Sequence, residues 1–309
     1  MFLVYPKLPK AGLGNMLLVW AKAVLFADIN QFSVVAPNWS TPKIGPYLRR
    51  EKDKRYYGHL FSNQIYVPQR DYWIANFRRK IVFHNPDITV IDTDLLRSPG
   101  LEIYLFIFDL LPHWSDYFAD IKQHPTLIKE KLLNSIRPSV LDAMHQRPSP
   151  EIGVHVRMGD FRVLPPGAEF AKIGQARTPL SWYVEVIQSI RETVGYNVPV
   201  TLFSDGAADE LEMLLKLSHV SLAPPASALS DMLTLSRSKI LVAAASSTFS
   251  GWASYLGQCP TIWHPAHFHA GVLSDSVSQH VFEGGFDPGS MAMSSLLTQN
   301  IQSIFKIDD

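Results

Sequence analysis

The chain has 309 residues, of which 47% are hydrophobic, enough for two ordinary domains or one large one with full cores. Its 28 basic and 28 acidic residues cancel, so no global field recruits nucleic acid or an anionic membrane, and any anionic ligand must be held locally. The single cysteine, Cys259, excludes a disulfide framework and favours a reducing compartment.

The N-terminal segment predicts a βαβ unit. A strand over FLVYP is followed by a glycine-containing loop, a helix over NMLLVWAKAVLFADIN and a second strand over FSVVAP. The start of the chain lacks the basic and apolar regions of a signal peptide, and the most apolar run, residues 101–111, is about half as long as a membrane span. We expect no transmembrane segment and a cytoplasmic location, with peripheral contact at the inner face of the membrane as an open alternative.

Strands and helices alternate regularly in the second half of the chain. A polar, proline-rich segment at 145–151 suggests a linker between domains 1–148 and 149–309. The helix that starts near residue 180 has Thr178 as its predicted N-cap and Pro179 at its first position. Further strands are predicted over EIGVHVR, VPVTLFS, HVSLA, KILVAAA and PTIWHP. This pattern predicts a parallel, doubly wound α/β sheet, in which ligands bind beyond the carboxyl ends of the strands.

Three polar clusters follow predicted strands and should meet at one edge of the sheet: Arg157, Gly159 and Asp160, then FSDG at 203–206, and SSTFS at 246–250. Together they suit a nucleotide diphosphate. The Arg157 guanidinium can hold phosphate oxygens bidentately. The third cluster can hold phosphate at a helix N-terminus through the hydroxyls and backbone N–H groups of Ser246, Ser247 and Thr248.

Two more side chains at this edge suit the nucleoside. Asp205 can accept hydrogen bonds from ring N–H groups or ribose, and His155 lies two residues before Arg157, hence on the same side of the strand. Each residue also has a purely structural interpretation, with His155 as a core histidine, Asp205 as a turn residue and Ser247 as an N-cap.

Other motifs in the chain suggest different chemistry. Gly12 and Gly14 in AGLGN let the backbone approach a ligand, but neither a dinucleotide fingerprint nor a Walker A motif is present. Asp92 and Asp94 form a D-x-D, by which metal-dependent sugar transferases hold a divalent cation. The histidines of HPAHFH (264–269) are not spaced like a helical or hairpin metal site. We expect no metal and no cofactor, with the D-x-D as the open alternative.

The motifs GLGNM, GVHVRMGDF, FLFSDG and DMLTLSRSKILVAAASSTFSGWASYLG, in this order, resemble those of the α-1,2-fucosyltransferase family, glycosyltransferase family 11, in a divergent, bacterial-type form. The resemblance covers residues 11–20 and most of 152–257. It implies an inverting, metal-independent GT-B enzyme with two Rossmann-like, doubly wound domains facing across a cleft. Domain 1–148 would then lie on the acceptor side, and domain 149–309 would bind the nucleotide sugar.

The resemblance also implies substrates and residue roles. The donor would be GDP-fucose and the acceptor a glycan hydroxyl, with an α-1,2 linkage, in surface-polysaccharide or O-antigen synthesis; no nucleic acid partner is expected. Arg157 matches the arginine at the donor pyrophosphate. The other matches are His155 and Asp205 near the guanosine, Ser247 and Thr248 at the phosphates, and Gly14 and Asn15, with Gly12, in an N-terminal loop.

An inverting transfer calls for a base, and the carboxylates nearest the motif are Asp160 and Glu169. Asp160 can equally fix the loop that carries it by accepting hydrogen bonds from backbone N–H groups. Two departures from the family motifs keep rivals open, because Met158 replaces a second arginine and Gly206 a second aspartate. The chain can use another nucleotide sugar, or be a catalytically weakened nucleotide-sugar-binding protein. Aromatic residues in the unmatched region, Trp39 among them, can stack on acceptor sugars or pack in the core.

Overall fold

A computed structural model of the chain describes residues 1–40, 56–70, 72, 80–96, 103–165 and 167–306. The described residues form two compact units, the first ending at Leu141 and the second beginning at Asp142. Each is an α/β unit built on a parallel sheet. The predicted α/β class with two Rossmann-like units is therefore confirmed.

The first unit has a four-stranded sheet in the order β2-β1-β4-β3. Its strands are β1 (Phe2–Pro6), β2 (Ser33–Val34), β3 (Lys80–His84) and β4 (Ile103–Phe108). The helices among the described residues of this part of the chain are α1 (Leu13–Asn30), α2 (Thr93–Leu96), α3 (Pro125–Ser135) and α4 (Pro138–His145). Residues 101–111 could form a strand or a buried helix on sequence grounds, and their described part forms β4, whose six side chains are all buried.

Helix α1 is the core helix of the first unit. It is apolar on nearly every side, and Val19, Ala23 and Phe26 pack against the aromatic side chains of β4. Among the described residues it is the single helix long and apolar enough to cross a membrane, yet 72% of it is buried inside the fold. A helix that is hydrophobic all round is expected at such a position.

The second unit has six parallel strands in the order β10-β9-β8-β5-β6-β7. These are β5 (Ile152–Val156), β6 (Val200–Ser204), β7 (Val220–Leu222), β8 (Ile240–Val242), β9 (Thr261–Trp263) and β10 (Glu283–Gly285). The helices are α5 (Leu180–Val194), α6 (Glu212–Leu215), α7 (Ala228–Leu235), α8 (Thr248–Gly257), α9 (Asp275–Ser278) and α10 (Ser295–Phe305). This is the 3-2-1-4-5-6 order of Rossmann sheets, with its switch point between β5 and β8.

The alternation of side chains along β5 decides what reaches the carboxyl edge. Ile152, Val154 and Val156 are buried in the core formed with α5 and α10. His155 faces the opposite side, where its ring contacts α8. Arg157 is the next residue on that second face, so the same alternation directs its side chain to the side of the sheet that carries His155.

Two local predictions were wrong. The N-cap of α5 is Pro179, and Thr178 instead accepts a hydrogen bond through Oγ1 from the backbone N–H of Ala245 (3.1 Å). The single helix predicted over 207–217 is a 3₁₀ turn followed by the four-residue α6.

The polar segment after α4 is held to the second unit. Arg237 donates from Nη1 to the carbonyl of Met144 (2.9 Å), from Nη2 to that of Arg147 (2.8 Å) and from Nε to Oγ of Ser149 (3.0 Å). One side chain thus fixes the approach to β5.

Candidate functional site

The three predicted clusters lie at one edge of the second sheet. Arg157 follows β5, Asp205 follows β6, and Ser246 to Thr248 lie between β8 and α8. Since β5 is hydrogen-bonded to both β6 and β8, the three carboxyl ends are neighbours. The switch point of a doubly wound sheet is where a crevice for ligands forms.

The Arg157 guanidinium is held by two carboxylates. Nη1 donates to Oδ2 of Asp205, and Nη2 donates to Oδ1 of Asp160 at 2.6 Å. All three side chains remain about one quarter exposed, and the Phe161 ring lies 5.8 Å from the guanidinium carbon. The edge therefore presents an oriented cation that still faces solvent.

Asp205 also fixes the loop that carries the arginine. Its Oδ1 accepts the backbone N–H of Met158 at 2.8 Å, while its Oδ2 accepts from Arg157. A Cβ atom at Gly159 would collide with the same carboxylate, so the close approach requires glycine there. Where the sequence suggested contact with the nucleoside, the structure shows Asp205 bound to the motif loop.

A second link between the two loops was missed by the sequence interpretation. Arg177 donates from Nε to the carbonyls of Met158 (3.1 Å) and Phe161 (3.3 Å), and from Nη1 to Glu210 (2.8 Å). Glu210 accepts the backbone N–H of Ala207 at 3.0 Å, and these two partners lower its pKa. An arginine just before a Thr-Pro helix start gives no sequence signal for this role.

His155 is buried at 4% exposure, and its Nδ1 lies 2.7 Å from Oγ of Ser250. The same hydroxyl oxygen accepts the backbone N–H of Ala244 at 3.0 Å, and the imidazole ring packs against Phe249 with centroids 4.7 Å apart. Burial lowers the pKa of His155 to about 3, with Asp205 opposing and Arg157 adding to the shift. The imidazole is therefore neutral at pH 7 and ties β5 to α8.

The serine cluster forms the start of α8. Ser246 adopts a left-handed backbone conformation with φ of 54°, which is uncommon outside glycine. Ser247 is the N-cap, and its Oγ accepts the backbone N–H of Ser250 at 3.4 Å. Thr248 is the first helical residue. The first-turn N–H groups of α8 thus begin beside the switch point, where an anion is favoured.

The two departures from the family motifs contact each other. Met158 is 5% exposed and belongs to the core that α5 and α10 cover. A Cβ atom at Gly206 would lie 2.7 Å from its Cγ. Position 158 therefore faces the core, opposite to Arg157.

The remaining predicted residues lie elsewhere in the two units. Glu169 is two-thirds exposed and pairs with Lys172 at 2.8 Å. Gly12 is the N-cap of α1, Gly14 is buried in its first turn, and Oδ1 of Asn15 is buried without a partner among the described residues.

The two candidate metal motifs have structural partners. Oδ1 of Asp92 accepts the backbone N–H groups of Asp94 (3.0 Å) and Leu95 (3.4 Å), which caps α2. His264 accepts the N–H of Ala266 at 3.2 Å, and Nε2 of His267 lies 2.9 Å from the carbonyl of Phe170. Within the described ranges, no three potential metal ligands come together.

The chain has two α/β units with parallel sheets, which is the GT-B fold of glycosyltransferases. The second sheet has Rossmann strand order, and Arg157 is held at its switch point. The family model described as "Glycosyl transferase family 11" matches residues 62–265, about two thirds of the chain. The chain belongs to this family, and the assignment to the family 11 fucosyltransferases made from the motifs is confirmed.

Solved structures share this fold. POFUT1 in complex with GDP is 16% identical, with a TM-score of 0.52 over 85% of this chain and 97% of that one. Its apo-form is 14% identical, with a TM-score of 0.50 over the same shares. NodZ α-1,6-fucosyltransferase soaked with GDP-fucose is 17% identical, with a TM-score of 0.48 over 85% and 94%. Comparison with curated proteins gave no significant match.

Proposed function

We propose that this chain transfers L-fucose from GDP-fucose to a hydroxyl of a glycan acceptor, with inversion and formation of an α-1,2 linkage, in surface-polysaccharide or O-antigen synthesis at the cytoplasmic side of the membrane. The observation that carries the proposal is the Arg157 guanidinium, oriented by two carboxylates at the switch point of a Rossmann sheet in a family 11 chain. POFUT1, which shares the fold, was crystallised in complex with GDP, and this supports a guanosine nucleotide here.

Arg157 acts on the leaving group. As the bond from the fucose anomeric carbon to the β-phosphate oxygen breaks, negative charge grows on the pyrophosphate. A guanidinium already held in place stabilises that charge without reorganising, and the N-terminus of α8 adds partial positive charge. Because a guanidinium has five N–H groups in a fixed fork, Arg157 can keep its bond to Asp205 while turning others to phosphate.

The acceptor oxygen forms the new bond to the anomeric carbon and loses its proton to a base. Of the two carboxylates suggested by the sequence, Asp160 lies at the edge, where it binds Arg157, whereas Glu169 pairs with Lys172. We therefore assign to Asp160 the role of holding Arg157. Asp160 can accept the proton of the acceptor hydroxyl only after a phosphate group has displaced it from Arg157. Asp160→Asn and Glu169→Gln variants test the two residues: loss of the base should lower kcat and abolish the acidic limb of the pH–rate profile, whereas loss of the contact with Arg157 alone should also weaken GDP binding.

Calorimetry tests the proposal. EDTA-treated protein is titrated with GDP, GDP-fucose, GDP-mannose, UDP and dTDP. We expect the guanosine nucleotides to bind, and Arg157→Ala to weaken them by about 10- to 100-fold, because a charged hydrogen-bond donor is lost and two carboxylates are left facing the phosphates. The affinity of Arg157→Lys for these nucleotides should lie between those of the wild type and Arg157→Ala.

Arg162→Ala is the matched control, since Arg162 is exposed and close in sequence. Equal losses in both variants would mean that only general positive charge matters. Binding that requires added Mn²⁺ or Mg²⁺ would contradict the proposal and direct attention to Asp92 and Asp94.

A further inference from the structure

A polar cavity of about 320 Å³ lies within the first unit, beyond the carboxyl end of β2. This volume is at the lower end of the range of small-molecule sites, about 300–1,000 Å³. The walls are formed by residues that directly follow β2 and by residues of 58–69 and 137: Pro37, Asn38, Trp39, Ser40, Gly58, Phe61, Asn63, Gln69 and Arg137. We call it the β2 pocket.

The aromatic wall of the β2 pocket carries an unpaired donor. Trp39 and Phe61 stack with ring centroids 3.8 Å apart and nearly parallel planes. Trp39 is only 3% exposed, and its indole N–H is buried without an acceptor among the described residues. Buried tryptophan N–H groups normally have a partner, so a wall residue without one indicates a missing oxygen acceptor.

The polar wall is fixed in place yet keeps unused groups. Arg137 donates from Nε to the carbonyl of Phe61 (3.0 Å), and Gln69 donates from Nε2 to that of Ala36 (3.1 Å). Oδ1 of Asn38 accepts the N–H of Ser40 at 3.0 Å. These bonds leave the terminal N–H groups of Arg137, the amide N–H groups of Asn38 and the carbonyl oxygen of Gln69 for a ligand.

The chemistry of these walls selects one class of ligand. Among the described lining residues there is no carboxylate, histidine or cysteine, so these residues offer a cation no charged ligand. An apolar ligand would leave the amides and Arg137 unpaired. A ligand rich in hydroxyl groups uses both the donors and the acceptors of amide side chains, and its ring oxygen or hydroxyls can accept from the indole and guanidinium.

We propose that the β2 pocket binds one sugar residue of the acceptor glycan. The inference rests on the proposed function for the identity of that glycan, and the described lining residues of the pocket all belong to the first unit. Residues 37–40, Gly58 and Phe61 of its lining lie outside the family match, so the pocket is a place where this chain can differ from its family in acceptor choice.

Saturation-transfer NMR on the full chain tests the inference with the methyl β-glycosides of galactose, glucose and N-acetylglucosamine as probes. We expect at least one to bind, and its Kd to rise about tenfold, or about 1.4 kcal/mol, in Trp39→Phe, which keeps a stacked ring but removes the N–H. Asn63→Ala should weaken it as well. Asn63 is exposed and its side chain has no hydrogen bond to the described residues, so this variant keeps the fold even if the tryptophan variant does not.

Gln64→Ala is the matched control, because Gln64 is the exposed neighbour of Asn63 and does not line the pocket. The inference is overturned if no glycoside binds, if both pocket variants bind as the wild type does, or if inorganic phosphate displaces the glycoside in an Arg137-dependent way, which would define an anion site. GDP-fucose titrated into the same samples reports the proposed function separately. Glycoside binding should survive Arg157→Ala.

Discussion

At the scale of single residues, Met158 packs in the core of the second unit, although it directly follows Arg157 of the candidate site. The side chain at 158 points into the core because it alternates with Arg157, and it packs where a side chain at 206 would begin. Met158 and Gly206 are thus sterically linked, because a side chain at 206 would meet that of Met158.

Substitutions at these two positions should be coupled. Gly206→Ala forces a methyl against Met158 and should cost about 1–3 kcal/mol of unfolding free energy. Met158→Ala removes the obstacle, so the double variant should be less destabilised than the sum of the single variants by about 1 kcal/mol. Urea denaturation measures all three. Strict additivity would refute the contact, and a large loss of GDP affinity in Met158→Ala would restore a binding role to position 158.

At the scale of elements, strands β5, β6, β8 and β9 could be predicted because each is a short apolar run bounded by polar or proline residues. Strand β10 could not, since two of its three residues are glycine. It is stabilised by tertiary contacts instead: Glu283 accepts the backbone N–H groups of Val272 (2.7 Å) and Leu273 (2.9 Å) and the indole N–H of Trp263 (3.2 Å). The residues of such a strand give no sequence pattern from which the strand could be predicted.

The same limit applies to the site. The sequence predicts which strand ends carry polar residues, but not that Arg157 meets Asp205, because this depends on the register that places Val156 opposite Ser204. The link from Arg177 to Glu210 depends in addition on the course of the loop before α5. The sequence pattern predicts which residues lie at the edge of the sheet. The strand register and the loop geometry decide which of those residues pair with each other.

Arg177 should act as a positioning residue for Arg157. Arg177→Ala frees the turn at Met158 to Phe161, so we expect GDP affinity to fall about tenfold, from the loss of hydrogen bonds made by a charged group. Arg177→Lys should recover only part of it, because an ammonium cannot span both carbonyls and Glu210. Calorimetry gives the affinities and thermal unfolding reports the fold. Arg162→Ala is the control, and a drop in stability without a change in affinity would limit Arg177 to a structural role.

At the scale of the whole molecule, the net charge is zero, so a charged ligand must be bound by local groups of opposite charge. In the second unit, these groups are Arg157, which is paired with two carboxylates, and the N-terminus of α8. In the first unit, the β2 pocket has Arg137 and amide groups in place of an ion-pair cluster. The described side chains of the two sites thus differ: the second unit has a cation paired with carboxylates, as proposed for a pyrophosphate, and the first has mainly amides, as proposed for an uncharged sugar.

Buried histidines make the stability of the molecule depend on pH. Burial lowers the pKa of His155 to about 3 and that of the less buried His264 to about 4. Both values are below 6.5, the value in an unfolded chain, so only the unfolded state takes up these protons as the pH falls from 6.5. The resulting stabilisation is complete above pH 6.5 and is lost progressively towards pH 3. For His155 alone the loss should reach about 2 kcal/mol at pH 5.

Urea denaturation of the wild type and of His155→Gln at pH 7 and pH 5 measures this loss. Glutamine can keep a hydrogen bond to Ser250 but does not titrate, so the variant should be less stable at pH 7 yet lose less between the two pH values. Asp205 and Arg157 act on His155 with opposite signs, so their joint effect is small beside burial. Equal losses in the two proteins would contradict the prediction, because they would show that the titration of His155 does not cause the loss of stability.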